Sequence, residues 1–123
     1  MLLTDQGTIY SMGSNLLGQL GIGDQSITKS FSPILIDSLS MWPVKKICSS
    51  KYSSFVLMAN GEAFSWGSCL HGILGIGEVS ENQYFPIKIL LEDGTEINAT
   101  DIDAGKNHAG IINETKGEED LSQ

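Results

Sequence analysis

Short runs of apolar and small residues alternate with glycine-rich stretches along the chain. Residues 9–12 and 63–66 are two such runs, and both have the composition of packed β-strands. Each is followed by closely spaced glycines, which mark a loop where the backbone turns sharply or adopts positive φ. A proline, Pro33 or Pro86, then leads into another apolar run. Proline lacks a backbone donor, so it fits the first residue of a strand or an edge strand.

This pattern of strand, glycine loop and proline-led strand is written twice. Residues 7–13 and 20–23 form the first copy, and residues 61–67 and 74–77 form the second. Each matched residue of the second copy follows its counterpart by 54 positions, as Gly61 follows Gly7. The constant offset indicates a duplicated supersecondary unit. Such units bury their apolar faces by stacking on neighbouring units.

The two copies resemble the repeats of the regulator of chromosome condensation (RCC1) family of β-propellers. Residues 15–24 keep that family's N-x-x-G-Q-L-G-x-G-D loop, Trp66-Gly67 keeps its W-G element, and Gly105 with His108 keeps its G-x-x-H element. The first copy departs from the family in having Met12 where tryptophan is usual. The resemblance implies a structural role for the repeat positions Gly13, Gly18, Leu20, Gly21, Gly23, Trp66, Gly67, Gly72, Leu74, Gly75, Gly77, Gly105 and His108.

The resemblance implies an all-β fold, an antiparallel β-propeller segment of about two RCC1-type repeats. One full blade and two partial blades are expected, with strands near residues 2–4, 8–12, 34–37, 44–48, 54–58, 62–66, 87–91, 102–104 and 109–112. The family closes with seven blades, which at this period takes roughly 380 residues. We therefore expect a piece of a longer propeller or a chain whose other blades come from partners. An intact protein with its own two-blade fold is the alternative.

The periodicity also divides the chain. Residues 1–113 form the predicted repeat segment. Residues 114–123 lose the periodicity, are rich in acidic side chains and predict a flexible tail or linker.

The charge of the chain changes the expected class of partner. The net charge is −8, from 15 acidic and 7 basic residues, and every basic residue is lysine. Nucleic-acid binders rely on lysine and arginine for phosphate and on arginine for base contacts. We therefore expect no nucleic-acid partner for this segment.

Cysteine spacing and hydropathy bear on the compartment. Cys48 and Cys69 form no metal-binding spacing and are expected to be reduced thiols. The sequence shows no signal-peptide layout and no transmembrane run. These features predict a cytoplasmic or nuclear protein that does not bind a membrane, with a cytoskeletal or ciliary location as the alternative.

Three other patterns do not predict a ligand-binding or catalytic site. The glycines of the first loop lack the Lys-Ser/Thr of a phosphate-binding loop, and Asp24 would repel a phosphate. Residues 101–112 only partly match a calcium loop, because Gly105 stands at a ligand position and Ile112 replaces the final glutamate. His71 and His108, the two histidines, lack the partners that catalysis needs. We expect no catalytic residue, cofactor, metal ion or small-molecule ligand.

A non-enzymatic protein-interaction scaffold is the function that this pattern favours. The acidic loop tips at 24–29 and 78–83 and the unmatched apolar connection at 40–43 give the candidate partner-binding residues Asp24, Trp42 and Glu78. The resemblance also implies two alternatives: a guanine-nucleotide exchange factor for a small GTPase, or the regulatory propeller of a ubiquitin ligase, a kinase or a ciliary or cytoskeletal complex.

Overall fold

Three antiparallel sheets follow one another along the chain. The computed structural model describes residues 1–69, 81–91, 94–105 and 109–113 and the backbone of 117–120. Within these residues the sheets have the orders β1-β2-β3, β4-β5-β6-β7 and β10-β9-β8, and we call them blades 1, 2 and 3. The strands are β1 Leu2–Leu3, β2 Ile9–Ser14, β3 Lys29–Leu35, β4 Val44–Ser49, β5 Ser53–Met58, β6 Ala63–Gly67, β7 Gln83–Lys88, β8 Ala99–Ala104, β9 Ala109–Asn113 and β10 Gly117–Asp120. The predicted all-β, antiparallel architecture is confirmed.

Blades 1 and 2 share an irregularity at the same repeat position. In the β2–β3 pair Met12 faces residues 31–33, and in the β6–β7 pair Trp66 faces residues 84–86. Each bulge contains the proline of the repeat, and each lies on the last strand of its sheet, where a missing N–H breaks no ladder on a central strand. β3 and β7 both begin before their prolines. Of the two placements expected for proline, the edge strand is therefore the one observed, and the first residue of a strand is not.

The core consists of two apolar layers, one on each face of blade 2. Every residue of β5 is buried, because its alternating side chains point to opposite faces. Val56 and Met58 pack towards blade 1, while Phe55 and Leu57 pack towards blade 3. The layer between blades 1 and 2 comprises Ile9, Ile36, Leu39, Val44, Val56, Met58 and Trp66. Blade 2 is therefore held on both faces, as stacked repeats require.

The end of the chain differs from the expected tail. The backbone of β10 pairs with β9, and Ile112 faces Glu118 as Leu57 faces Ala63 in the β5–β6 pair, 55 positions earlier. β10 thus occupies the place of a third strand in blade 3, where two strands were predicted. Strand pairing uses backbone groups, which an acidic sequence without apolar alternation does not reveal. None of the helical turns in the described residues is long and apolar enough to span a membrane.

Candidate functional site

One buried amide fixes the shape of the glycine loop of blade 1, which we define as residues 15–28. The Nδ2 atom of Asn15 donates to the carbonyl oxygens of Asp24 (3.2 Å) and Ile27 (2.7 Å), and its Oδ1 accepts from the backbone N–H of Leu20 (3.1 Å). The hydroxyl of Ser11, on β2, donates to the carbonyl of Leu20 at 2.7 Å. Because Asn15 and Ser11 are both buried, these bonds replace water and hold the loop in one conformation.

The glycine loop of blade 1 packs on Trp66 of blade 2. The indole Nε1 donates to the carbonyl oxygen of Gln19 at 2.8 Å, and the Ser54 hydroxyl donates to the same oxygen at 3.3 Å. A Cβ built on Gly21 would lie 2.6 Å from the indole Nε1, so only glycine permits this approach. Trp66, predicted from the sequence to be a packed strand residue, is fully buried in the layer between the two blades.

The outer end of the same loop contacts β7 of blade 2. The backbone N–H of Gly23 donates to the carbonyl of Tyr84 at 2.8 Å, and the Tyr84 hydroxyl donates to the carbonyl of Leu16 at 3.0 Å. The ring of Phe85 covers Gly23, and the carbonyl of Gln83 lies against Gly18. The glycines of the first loop therefore permit close contacts between blades 1 and 2.

The other predicted repeat positions divide between described and undescribed residues. Gly13 and Gly67 lie near the ends of β2 and β6 with φ of 106° and 103°, Leu20 is buried, and Gly105 directly follows β8. The remaining repeat positions, Gly72, Leu74, Gly75, Gly77 and His108, lie outside the described residues, as do His71 and the candidate partner-binding residue Glu78.

In blade 1 the residues equivalent to those with which blade 2 contacts the glycine loop are exposed. Met12 is the counterpart of Trp66, and Phe31 is the counterpart of Tyr84. Met12 is 44% exposed and Phe31 is 82% exposed, whereas Trp66 is fully covered. The equivalent face of blade 2 contacts the glycine loop of blade 1. By this comparison, this face of blade 1 has the side chains of a surface that contacts another glycine loop.

Asp24 stabilises the turn in which it lies. Its Oδ1 accepts hydrogen bonds from the hydroxyl of Ser26 at 2.6 Å and from the backbone N–H of Ser26 at 2.9 Å. These two bonds lower the pKa of the Asp24 carboxyl. The carboxylate is exposed, so it presents negative charge to solvent while it holds the turn.

Trp42 borders an open groove of mixed polar and apolar lining between β1–β2 and the connection from β3 to β4. The groove has a volume of about 150 Å³. Met41 is 86% exposed and Trp42 is 51% exposed at its edge. We call it the Trp42 groove, and its lining residues are Gln6, Gly7, Thr8, Ile9, Leu35, Ile36, Leu39, Ser40, Met41, Trp42 and Pro43. Trp42 was predicted from the sequence as a candidate binding residue, whereas the groove was not, because its lining comes from three separate segments.

Two groups of ion pairs lie on blades 2 and 3. Lys88 Nζ lies 2.5 Å from Glu62 Oε2 and 2.6 Å from Glu96 Oε1, and the hydrogen bond from Lys88 is the main cause of the lowered pKa of Glu62. Lys46 Nζ lies 2.7 Å from Asp101 Oδ1 and thereby joins β4 to β8. Neither group is enclosed, so each contributes modestly to stability.

The thiols and acids do not form a metal centre within the described residues. No group of three or more His, Cys, Asp or Glu side chains there could hold an ion. Cys48 and Cys69 are both free and half-buried. Burial raises the pKa of the Cys48 thiol to about 11, which keeps it protonated at neutral pH.

The repeated bulges and the loop that crosses between blades match a known repeat. The family model of the "Regulator of chromosome condensation (RCC1) repeat" matches residues 6–57 and 60–112. The chain belongs to the RCC1 repeat family. The two matched repeats do not coincide with the blades, because each repeat begins in one blade and ends in the next.

Relatives of this RCC1-repeat chain are much longer proteins. A bifunctional serine/threonine-protein kinase/NEDD4-like E3 ubiquitin-protein ligase of Dictyostelium discoideum is 31% identical over 92% of the chain, which covers 6% of that protein. The probable E3 ubiquitin-protein ligase HERC6 of Homo sapiens is 31% identical over 85% of the chain, which covers 10% of that protein. The chain thus spans a tenth or less of the length of these two relatives.

A solved structure shares the fold. Yeast RCC1 (Prp20), determined with Kap60 bound, superposes with a TM-score of 0.77 at 18% identity, over 92% of this chain and 27% of that one. The RCC1-repeat chain described here is therefore an antiparallel β-propeller segment with a complete central blade and incomplete blades on either side.

Proposed function

We propose that this RCC1-repeat segment is a non-enzymatic protein-interaction scaffold within a longer propeller-bearing protein. The observation that carries the proposal is the exposure of Met41 and Trp42 on a connection between blades, beside an open groove. Large apolar side chains that border a concave surface are typical of partner-binding sites. The connection follows the short 3-10 helix Asp37–Leu39, so it is carried on ordered structure.

The repeat itself leaves its motif residues little freedom for other chemistry. Asn15, Gln19, Gly21 and Trp66 are used in the loop and in the contact between blades. A propeller built this way is a rigid frame, and its connections are free to vary and to bind. The acidic turn at Asp24 offers a second surface, suited by its charge to a basic partner.

We further propose that the segment serves as a regulatory or recruiting propeller in a long signalling polypeptide. Its relatives include a combined kinase and ubiquitin ligase and a further ubiquitin ligase, of which it covers only 6% and 10%. In such proteins the catalytic domain would lie elsewhere in the chain. We propose a cytoplasmic or nuclear location for the protein.

Photo-crosslinking from position 42 tests this proposal. A photoreactive amino acid replaces Trp42 in the natural polypeptide, in its own cells, and the same amino acid replaces Asn60, an exposed turn residue of blade 2, as the control. We expect a discrete protein adduct from position 42 that is absent from position 60 and is lost when Met41→Asp is added. Equal adducts at both positions would contradict the proposal. Recovery of a small GTPase would favour the exchange-factor alternative.

A further inference from the structure

The Trp42 groove occupies a place that charged side chains fill in the next blade. Leu35 faces Tyr10 across the β2–β3 pair as Lys88 faces Phe64 across the β6–β7 pair, so Leu35 and Lys88 are counterparts. Thr8 precedes β2 as Glu62 precedes β6.

In blade 2 these positions form an ion cluster. Lys88 bridges Glu62 and Glu96, at 2.5 and 2.6 Å. In blade 1 the counterparts, Thr8 and Leu35, carry no charge and line the groove. The charged cluster of blade 2 therefore has uncharged counterparts in blade 1, and these counterparts line the Trp42 groove.

We propose that the Trp42 groove binds a basic peptide segment of a partner protein through one aromatic side chain. This inference rests on the proposed interaction function and names the chemistry of its partner.

The size of the groove selects the anchoring side chain. A cavity of about 150 Å³ with aliphatic walls accommodates one benzene ring, and the Trp42 groove has a volume of about 150 Å³. Ile9, Ile36 and Leu39 are buried at its inner wall, while Leu35 and Trp42 remain partly exposed at its edge. A phenylalanine ring therefore fits the space, and the exposed side chains of Leu35, Met41 and Trp42 give it apolar contact at the edge of the groove.

The charges beside the groove select the residues that flank the anchor. Asp5 directly precedes the lining residue Gln6, Asp37 directly follows the lining residue Ile36, and both acids are exposed. The nearest lysine along the chain, Lys45, lies on β4, where its charge contributes to lowering the pKa of Asp101 in blade 3. The edge of the groove is thus acidic, in a chain with a net charge of −8. Lysine or arginine on either side of the anchor complements it.

Defined peptides test the two parts of the recognition separately. The probe is a fluorescein-labelled Arg-Lys-Phe-Lys-Arg peptide with blocked ends, and its polarisation is followed as it is titrated with the natural polypeptide at low salt. Replacing the phenylalanine by alanine should weaken binding about tenfold or more, because the anchor supplies the buried apolar contact. Replacing the four basic residues by glutamate should weaken it by a similar factor, and added salt should weaken binding of the basic probe. Equal binding of all three peptides would overturn the proposal.

A swap between the blades closes the groove without changing the net charge. The double variant Thr8→Glu with Leu35→Lys installs in blade 1 the ion pair that Glu62 and Lys88 form in blade 2. We expect about a tenfold loss of probe binding with an unchanged melting temperature. The matched control, Glu62→Thr with Lys88→Leu, alters blade 2 and should leave probe binding unchanged.

Two further results keep the outcomes distinct. If the double variant fails to fold, Trp42→Ala replaces it, because that half-exposed ring can be removed with little loss of core packing. Probe binding that persists in the variant that folds would overturn the inference. An adduct from position 42 without probe binding would contradict the inference alone, whereas the absence of both would contradict the proposed function as well.

Discussion

The indole nitrogen of Trp66 donates its hydrogen bond to the backbone carbonyl of Gln19, 2.8 Å away and 47 positions earlier in the chain. Trp66 belongs to blade 2 and Gln19 to the glycine loop of blade 1. The indole is fully buried, and without this bond the Gln19 carbonyl keeps only the more distant Ser54 hydroxyl as a donor. The most conspicuous residue of the repeat therefore stabilises the join between blades.

Removing the Trp66 ring should strongly destabilise the stack. Trp66→Ala is expected to cost roughly 3–5 kcal/mol, since it leaves a large cavity between blades. Trp66→Phe keeps most of the ring and should cost less, including about 1 kcal/mol for the lost hydrogen bond. Chemical denaturation of the two variants and the natural protein measures both values. An alanine variant as stable as the natural protein would show that the ring is not packed.

Alanine variants of two glycines allow the cost of backbone strain to be measured separately from the cost of steric crowding. Gly13 and Gly21 both have positive φ, but a Cβ at Gly13 meets nothing within 4 Å, whereas one at Gly21 meets the Trp66 indole. Gly13→Ala should cost roughly 1–2 kcal/mol for the strained backbone alone. Gly21→Ala should cost roughly 1–3 kcal/mol more, because of the overpacking. Denaturation midpoints compare the two, and equal losses would contradict the close approach of Gly21 to Trp66.

The Lys46–Asp101 pair should contribute to the loss of folding stability at acidic pH. The hydrogen bond from Lys46, followed by that from the backbone of Ile102, lowers the pKa of Asp101 below its usual 3.8. The contribution of Asp101 is therefore complete above pH 3.8 and is lost as the pH falls through its lower folded value. Melting temperatures measured downward through this range should fall less steeply for Lys46→Gln. Parallel curves would show that the pair adds nothing to folding.

The thiol of Cys48 should react slowly while the protein is folded. Its pKa rises from 9.0 to about 11, chiefly because of burial. At a pH below both values this shift lowers the thiolate fraction about a hundredfold, and the thiolate is the reactive form. Alkylation followed by peptide mass spectrometry, with the Cys69→Ser variant and with urea-unfolded protein as the reference, measures the rate. Similar rates for folded and unfolded Cys48 would refute the protected environment.

The strands were predictable where their own sequence carries the signal. The apolar runs around Ile9, Val56 and Phe64 predicted strands that the structure contains, and the constant spacing predicted that they repeat. The strand Gly117–Asp120 was missed, because its acidic sequence has no apolar alternation and its pairing with β9 uses the backbone.

Less of the candidate site could be predicted from the sequence. Trp42 was found because it has no match in the second copy, but the groove needs the relative positions of three segments. The exposure of Asp24 followed from its loop, whereas its hydrogen bonds to Ser26 depend on the turn geometry. Likewise, Lys46 and Asp101 are 55 positions apart and meet only because β4 and β8 are counterparts in adjacent blades.

The crossing of the glycine loop onto the next blade also sets an order of events during synthesis. The loop ends at residue 28, yet the Tyr84 carbonyl that holds Gly23 is made much later. At about 5–20 residues per second, the ribosome takes roughly 3–11 s to add the intervening chain. During that interval the loop lacks its partner. Blade 1 therefore matures only when blade 2 has left the ribosome, and a pause in translation near residue 80 would prolong the exposure of its apolar surface to chaperones.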